Sequence, residues 1–452
     1  MTMNCLLVSV NQAKVPYPVY PLGVAYLCGA MQQAGHAVVH FDLLADGGAE
    51  GLRRLLNSRR YDLIGLSIRN LDTVDSCDPN DFVPEVAEVV RLIRGNSMAP
   101  VVLGGPAFSL MPQQLLEFLE ADYGVVGEGE VLLPWLVDEL AAGRPPRDRI
   151  LRNERRVEFW PRPVYKESPL RYYLAHGGML GVQTKRGCPY HCAYCSYPTI
   201  EGHTLRYRDP EEAAAEVAWL VAEYRARFIF FTDSVFNDGA GHFRRLAEAL
   251  IRNGNTTPWC AFFRPQHLER EDLRLLKRAG LAAMEIGTDA ACDRTLAGLQ
   301  KGFDFAQVLH VNRLAAEEGI ACAHFVMFGG PDEDRQTLAE GLDNLSWLEK
   351  SVVFAFSGIR VLPGTALATR AVADGVIAAD QSLLTPTFYF SPKLQEAELN
   401  RQLAAAFAPR EDRIFPVSQI LDRLAMLHQM GHTGPLWDFL LRPPRVRNAC
   451  KT

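Results

Sequence analysis

Short apolar runs alternate with amphipathic stretches along the first 140 residues of the chain. The apolar runs predict buried strands, and the stretches between them have the spacing of helices with one apolar face. Strands are predicted at residues 6–10, 37–43, 62–68, 100–103 and 122–126, and helices at residues 22–34, 52–56, 84–94, 113–119 and 131–141. This alternation predicts a doubly wound parallel sheet, on which ligands bind at the carboxyl ends of the strands.

The same alternation returns after a connector rich in proline and arginine, residues 142–174, in which one short strand is predicted at residues 156–160. Six further strands are predicted at residues 179–184, 228–232, 259–263, 283–287, 324–328 and 352–362. A helical stretch follows each of them. The remainder is predicted to be mostly helical and to close over an active site. We therefore divide the chain into residues 1–141, 142–174, 175–370 and 371–452.

Length and composition narrow the class of protein. A chain of 452 residues is long enough for two or three domains. The formal net charge of -6 gives no sign of a nucleic-acid partner, which would favour a basic patch. No apolar run reaches about 18 residues, so no membrane span is predicted. The amino terminus lacks the basic segment of a signal peptide, and we expect a cytoplasmic protein.

Three of the ten cysteines form a Cys-x-x-x-Cys-x-x-Cys array: Cys188, Cys192 and Cys195. Gly187 and Pro189 favour a sharp turn that brings the thiolates together. Three thiolates can hold three irons of a cubane iron–sulfur cluster and leave the fourth iron open to a small molecule. A zinc site with His191 is an alternative, but structural zinc usually takes its ligands from two separated pairs. A disulfide framework does not suit a long chain with sparse cysteine.

This array, with Tyr194 between its last two cysteines and a strand-like segment before it, resembles the radical S-adenosylmethionine (SAM) superfamily. The resemblance implies a [4Fe-4S] cluster on the three cysteines, whose open iron binds the amino and carboxylate groups of SAM. One-electron reduction then cleaves SAM to a 5′-deoxyadenosyl radical, which abstracts a hydrogen atom from the substrate. The six β/α units resemble the open, partial (β/α)6 TIM-like barrel of this superfamily, with its chemistry at the carboxyl ends of the strands.

The same resemblance implies a SAM site at these strand ends. The residues assigned to it are Tyr194, Thr232, Asp233, Ser234, Arg264, Glu285, Thr288, Gly329, Gly330 and Ile359. The acid and hydroxyls at 232–234 suit the SAM ammonium, and Arg264 suits the SAM carboxylate or a substrate anion. Glu285 and Thr288 are placed where relatives hold ribose hydroxyls, and Gly329, Gly330 and Ile359 where they back the adenine. The alternative for each polar residue is a hydrogen bond at the barrel rim or a helix cap.

Residues 16–23, 66–70, 104–106 and 127–130 resemble the cobalamin-binding domain that precedes many radical SAM domains. The residues assigned to cobalamin are Tyr20, Pro21, Ser67, Arg69, Asn70, Gly104, Gly105, Gly127, Glu128, Gly129 and Glu130. Many such domains carry Asp-x-His-x-x-Gly, whose histidine ligates cobalt from below, but residues 11–14 read Asn-Gln-Ala-Lys here. Arg69 or Asn70 is therefore placed beneath the corrin, where a guanidinium would leave the lower face open. The alternative for Arg69 is a salt bridge within its loop.

Together the two resemblances imply a cobalamin-dependent radical SAM enzyme that methylates an unactivated carbon of a small molecule, a secondary metabolite or a lipid, through methylcobalamin. One alternative keeps both cofactors without methyl transfer, as in ring contraction, cyclisation or oxidation. A less favoured alternative is a non-catalytic cobalamin or redox sensor. The expected cofactors are the [4Fe-4S] cluster, SAM and cobalamin, and the expected partners are a small-molecule substrate and a flavodoxin- or ferredoxin-like electron donor.

Overall fold

Two parallel sheets carry the fold, and the computed structural model describes residues 2–14, 17–153 and 160–441. The elements of the first sheet and its helices are β1 Asn4–Ser9, α1 Leu22–Gln33, β2 Ala37–Asp42, α2 Gly48–Ser58, β3 Leu63–Ser67, α3 Val83–Asn96, β4 Val101–Gly104, α4 Pro106–Leu110, α5 Pro112–Phe118, β5 Tyr123–Val126, α6 Leu132–Ala141 and β6 Ile150–Arg152. The strand order is β2-β1-β3-β4-β5-β6, with every neighbouring pair parallel. The predicted doubly wound parallel sheet is confirmed.

The strands of this sheet are apolar along most of their length because helices cover both of its faces. β6 was not predicted, since it lies in the stretch read as a connector and has only three residues. The strand predicted at residues 156–160 falls almost wholly outside the described residues.

The second sheet is built from β/α units, as predicted. Its strands, helices and the hairpin strands near its mouth are α7 Glu167–His176, β7 Met179–Val182, β8 Lys185–Arg186, α8 Tyr197–Glu201, β9 Arg206–Tyr207, α9 Pro210–Tyr224, β10 Phe228–Phe231, α10 His242–Arg252, β11 Trp259–Phe263, α11 Arg270–Arg278, β12 Leu281–Asp289, α12 Asp293–Gly298, α13 Phe305–Glu317, β13 Ala321–Phe328, α14 Arg335–Ser346 and β14 Ser351–Ser357. Side-chain caps start several helices; Asp209 accepts hydrogen bonds from two backbone amides of α9.

The tail adds β15 Ile359–Arg360, α15 Ala366–Ala373, β16 Phe388–Tyr389, α16 Glu396–Phe407, β17 Arg413–Ile414, α17 Ser418–Gln429 and a 3₁₀ helix, Trp437–Leu441. It is mostly helical, as predicted, but β17 joins the second sheet as a seventh parallel strand beside β14. The resulting order is β17-β14-β13-β12-β11-β10-β7. An open parallel barrel of the predicted kind is therefore confirmed, with one strand more than the sequence indicated.

The end of the tail closes the barrel on the side opposite to the one we predicted. Trp437 is buried with Met179 and Phe228, which stand at the first positions of β7 and β10. These are the amino ends of the strands, whereas the cysteine loop follows the carboxyl end of β7. The 3₁₀ helix is thus a floor to the barrel, at the end away from the cysteine loop.

A loop of the first half, residues 71–82, docks at the mouth of the barrel. Arg360 donates from Nε to Asp72 over 2.7 Å, and both side chains are almost fully buried. The Ser76 hydroxyl donates to the Ser357 carbonyl at the end of β14. The two sheets are therefore held together by charged as well as apolar contacts. Among the described residues, no helix has the length and apolar character needed to cross a bilayer.

Candidate functional site

A cavity of about 330 Å³ lies at the carboxyl ends of the first sheet. In the strand order, β2 lies on one side of β1 and β3 lies on the other, so the direction of the chain connections reverses between β1 and β3. Ligands bind on such sheets at this topological switch point, and the cavity is located there. The structure brings to it all of the residues assigned to cobalamin except Asn70: Tyr20, Pro21, Ser67, Arg69, Gly104, Gly105, Gly127, Glu128, Gly129 and Glu130.

Two glycines that border this cavity stand where a side chain would meet neighbouring protein atoms. Gly105 has φ +94°, and a Cβ there would lie 2.5 Å from the Ile68 carbonyl oxygen. A Cβ on Gly129 would lie 3.0 Å from a Leu27 methyl group. Glycine at these two positions therefore lets the turns after β4 and β5 pack closely against Ile68 and Leu27 at the border of the cavity.

Arg69 extends from the end of β3 into this space. Its side chain is exposed to the cavity, and the protein atoms packed around it lower its pKa by partial desolvation. Its titratable neighbours are Tyr197, Tyr17 and Tyr173, and no carboxylate of the described residues pairs with it. The salt bridge that we considered for Arg69 is therefore not formed among those residues.

The two acidic residues of the Gly-Glu-Gly-Glu segment form ion pairs with arginines of β8 and β9, which the sequence did not indicate. Glu130 accepts from Arg186 Nη2 over 2.6 Å, and Glu128 accepts from Arg206 Nη1 over 2.9 Å. Arg186 also lies over the Trp160 ring, 4.3 Å from its centroid. Their carboxylates are thus engaged in ion pairs with β8 and β9, and they fix the first sheet to the hairpin that leads into the cysteine loop.

The cysteine loop is shaped by its neighbours. Gly187 has φ +90°, and a Cβ there would lie 2.2 Å from the Thr204 carbonyl oxygen, so the entry to the loop requires glycine. The Cys188 amide donates to the Gly202 carbonyl over 3.0 Å, and the Ala193 amide to the Leu299 carbonyl over 2.9 Å. The start of the loop is therefore anchored to the turn after α8, and its second half to the turn after α12.

The three thiols lie within electrostatic reach of one another. Burial raises the pKa of Cys188 and that of Cys195, the latter to about 12, and in both cases the neighbouring cysteines raise it further. In the described part of the chain no three His, Cys, Asp or Glu side chains converge on a single-ion position. A cubane does not need such convergence, because each cysteine binds a different iron. Metal binding would displace the thiol protons and offset the cost of burial.

Arg264 and Lys301 bring positive charge to the edge of this loop. Arg264 Nη1 donates to Cys192 Sγ over 3.5 Å, and its guanidinium stacks on the Tyr190 ring at 3.7 Å. Lys301 pairs with Asp289, which also accepts from the Tyr194 hydroxyl. The predicted Arg264 and Tyr194 are therefore beside the cysteines. Lys301 was missed because it lies in an irregular loop with no motif around it.

Several residues assigned to SAM have other partners. Asp233 is fully buried and accepts from the Thr184 hydroxyl and amide and from the Lys185 amide, at 2.5, 2.7 and 3.1 Å. Its carboxylate thus holds the strand that enters the cysteine loop, and we correct its assignment to the SAM ammonium. Ser234 donates to the Gly187 carbonyl over 2.7 Å, while Thr232 borders the cavity of the first sheet.

The fourth strand also departs from prediction. The Thr288 hydroxyl is buried 2.8 Å from His324 Nδ1, on the side of β12 that faces the helices, so it does not reach the mouth. Glu285 points into the barrel and accepts from Trp437 Nε1 over 3.2 Å. Neither position suits ribose hydroxyls at the mouth, and we correct both assignments.

The glycine turn after β13 is occupied by protein groups, which are its own Glu333 and the tail residues Phe390 and Leu399. The Gly329 and Gly330 amides both donate to the Glu333 carboxylate, the second over 3.0 Å. The sixth predicted strand stops at Ser357, because Gly358 has φ +70° and a Cβ there would lie 2.5 Å from the Phe390 ring. Ile359 consequently lies outside the main sheet and pairs with Tyr389. These three residues border the mouth without offering free backbone amides to a ligand.

Comparisons with known proteins agree with both halves of the structure. Residues 8–137 match the B12 binding domain, and residues 182–345 match the radical SAM superfamily. The chain is 26% identical to a tryptophan 2-C-methyltransferase of Streptomyces laurentii over 81% of this chain and 75% of that protein. It is 26% identical to a hopanoid C-3 methylase of Methylococcus capsulatus over 70% of this chain and 62% of that protein.

The fold is also similar to that of a solved relative. The radical SAM methyltransferase TsrM from Kitasatospora setae, solved with cobalamin and a [4Fe-4S] cluster, superposes with a TM-score of 0.84 at 25% identity, covering 98% of each chain. The cavity of the first sheet and the three-cysteine loop therefore stand in the two domains that these comparisons identify. The chain belongs to the radical SAM enzymes that carry a B12-binding domain, with a [4Fe-4S] cluster, SAM and cobalamin as its cofactors.

Proposed function

We propose that this enzyme methylates an unactivated carbon of a small molecule. The observation that supports this most directly is the shared wall between the two sites. The cavity of the first sheet is bordered by Gln183, Arg186, Tyr197, Ile200 and Glu201, which flank the three-cysteine loop on both sides. A corrin in this cavity and a cluster on the loop would face a common space, which a group transfer between them requires.

When bound, cobalamin supplies a carrier for a methyl group, and the reduced cluster with SAM supplies a carbon-centred radical. In the proposal, the three cysteines hold the cluster. Arg264 and Lys301 stabilise the negative charge of the thiolates, because buried cations beside them lower the cost of ionisation. Glu128 and Glu130 keep the two domains in register through their arginine partners.

The reductant and the substrate are part of the same proposal. We propose a flavodoxin- or ferredoxin-like protein as the electron donor. Relatives are named for the methylation of tryptophan and of hopanoids, which both contain an apolar ring system. We accordingly propose a small molecule with an apolar ring system as the substrate, and tryptophan is the first candidate to assay.

The test is anaerobic incubation of the reconstituted enzyme with SAM, cobalamin, a strong reductant and candidate substrates. Formation of S-adenosylhomocysteine and of a methylated product is the expected result. The use of SAM with a deuterated methyl group identifies the origin of the methyl in the product. Formation of 5′-deoxyadenosine and a changed product without added methyl would overturn methylation in favour of ring formation or oxidation. Failure to bind cobalamin would overturn the assignment of the cavity.

Arg69 provides a further prediction. A guanidinium stays protonated and is a poor cobalt ligand, so cobalamin in this cavity is expected to have no protein ligand on its lower face. Arg69→His is expected to introduce one. The measurement is the electron paramagnetic resonance spectrum of the Co(II) form, in which an axial nitrogen adds a characteristic hyperfine splitting. Arg69→Lys is the matched control, because it keeps the charge without a ligand. Nitrogen splitting in the unaltered enzyme would contradict the prediction.

A further inference from the structure

We propose that the interior of the barrel is the substrate site and that Glu285 binds a hydrogen-bond-donating nitrogen of a flat, apolar substrate. This inference rests on the proposed function and specifies the substrate class for it. It also gives Glu285 a role other than the one that the sequence suggested.

The interior of the barrel is almost purely apolar. One set of alternate side chains in the six long strands packs inward with the 3₁₀ helix of the tail, and the other set packs against the surrounding helices. The inward positions are Met179, Gly181, Phe228, Phe230, Cys260, Phe262, Ala283, Glu285, Gly287, Ala321, Ala323, Phe325, Met327, Val352, Phe354 and Phe356. Among these described positions, Glu285 carries the only carboxyl group.

This interior is open above Glu285. Phe262 is the neighbour of Glu285 in the strand register and lies edge-on to Phe230, with ring centroids 5.1 Å apart. It keeps 40% of its surface exposed although it points into the barrel. Trp437 closes the floor below, so the open space leads toward the mouth and the cysteine loop. An aromatic-walled space of this kind suits a flat apolar ligand.

Glu285 lacks a charged partner in this space. Its described hydrogen bond comes from Trp437, and no cation of the described residues lies within ion-pair distance of it. Burial consequently raises the pKa of Glu285 to about 7. A buried carboxyl with spare acceptor capacity is costly, and a donor nitrogen on the ligand would reduce that cost.

Tyr17 packs against the apolar cluster that forms this floor. Burial raises the pKa of Tyr17 most, Glu285 raises it further, and Arg69 acts in the opposite direction. Tyr17 therefore lies within electrostatic reach of both Glu285 in the barrel and Arg69 in the first domain.

The test uses equilibrium binding of two probes, indole and benzothiophene, to the holoenzyme without reductant. They have similar size and shape, but sulfur replaces the N–H group in benzothiophene. We expect indole to bind more tightly by about tenfold or more, because a site built around an acceptor rejects a ligand that leaves it unpaired. Equal binding of the probes, or binding of neither, would overturn the proposal.

Two variants separate a substrate contact from a structural one. Trp437→Phe removes the donor from the floor but keeps Glu285, and it is expected to retain the preference for indole. The double variant Glu285→Met with Trp437→Phe removes donor and acceptor together, which avoids an unpaired polar group, and it is expected to lose the preference. Iron and cobalamin contents verify folding.

A preference for indole that persists in the double variant would overturn the role of Glu285. Because binding is measured without turnover, the outcome is separable from that of the proposed function. Methyl transfer without a preference for indole would support the proposed methylation and overturn the role of Glu285 in substrate binding. A preference for indole without methyl transfer would support the role of Glu285 and overturn the proposed methylation.

Discussion

Replacement of Cys192 by alanine is expected to abolish the cluster and, with it, both SAM cleavage and methyl transfer. Each cysteine of the loop binds a different iron, so two thiolates would leave two irons without protein ligands. The variant also removes the sulfur that accepts a hydrogen bond from Arg264. Iron and sulfide contents are expected to fall from about four per chain to background, and formation of 5′-deoxyadenosine to fall below detection.

The measurement combines metal analysis with the visible absorption of the anaerobically reconstituted protein. Cys77→Ala is the matched control, because Cys77 is exposed and outside the loop, and it is expected to keep the full cluster. Cobalamin binding is expected to survive in the Cys192 variant, since the first sheet does not depend on the cluster for its core. Retention of iron at the level of the unaltered enzyme, or one zinc per chain in the unaltered enzyme, would contradict this prediction.

The cysteine site could be predicted because its information is local. Cys188, Cys192 and Cys195 lie within eight consecutive positions, and Gly187 gives the turn that starts the loop. The glycines of the first sheet were recognisable for the same reason, since their need for space follows from where each strand ends. Such features require no knowledge of which distant residue comes to lie opposite.

The errors concern side chains whose partners are remote in sequence. A carboxylate at a strand end can face a ligand or hold a backbone, and Asp233 holds the amides of Thr184 and Lys185, which lie 49 and 48 positions away. The apolar run through Ile359 reads as one strand, yet Gly358 bends it. β17 has two residues and shows no periodicity at all. In each case tertiary contacts, which single-sequence patterns do not record, determine the outcome.

The Gly-Glu-Gly-Glu segment combines features that local sequence predicts with features that depend on remote partners. Its glycines border the cavity, as the resemblance to cobalamin domains implied. Its carboxylates meet Arg186 and Arg206, which belong to the other domain. Since Arg186 stands two positions before Cys188, this ion pair gives a direct mechanical link between the cobalamin cavity and the cluster loop.

Glu130→Gln is therefore expected to weaken the enzyme at both sites. The Arg186 and Glu130 side chains are each only 6% exposed, so the variant leaves a buried guanidinium without its closest counter-charge. Loss of one partner of a buried pair costs about 3 kcal/mol or more. We expect an earlier urea transition and faster loss of both cobalamin and iron from the reconstituted protein, measured on the same samples. Glu50→Gln, at an exposed pair with Arg53, is the control and is expected to change neither.

The double variant Glu130→Met with Arg186→Met decides whether the charge pair or the packing matters. Replacing both members of a buried pair by apolar side chains often restores stability. Glu128 keeps Arg206 as its partner, so no new unpaired carboxylate arises. If the double variant regains the urea transition but still loses iron quickly, the ion pair orients the cysteine loop beyond its contribution to stability. A Glu130→Gln variant as stable as the unaltered enzyme would show that the first domain holds the loop through apolar contacts alone.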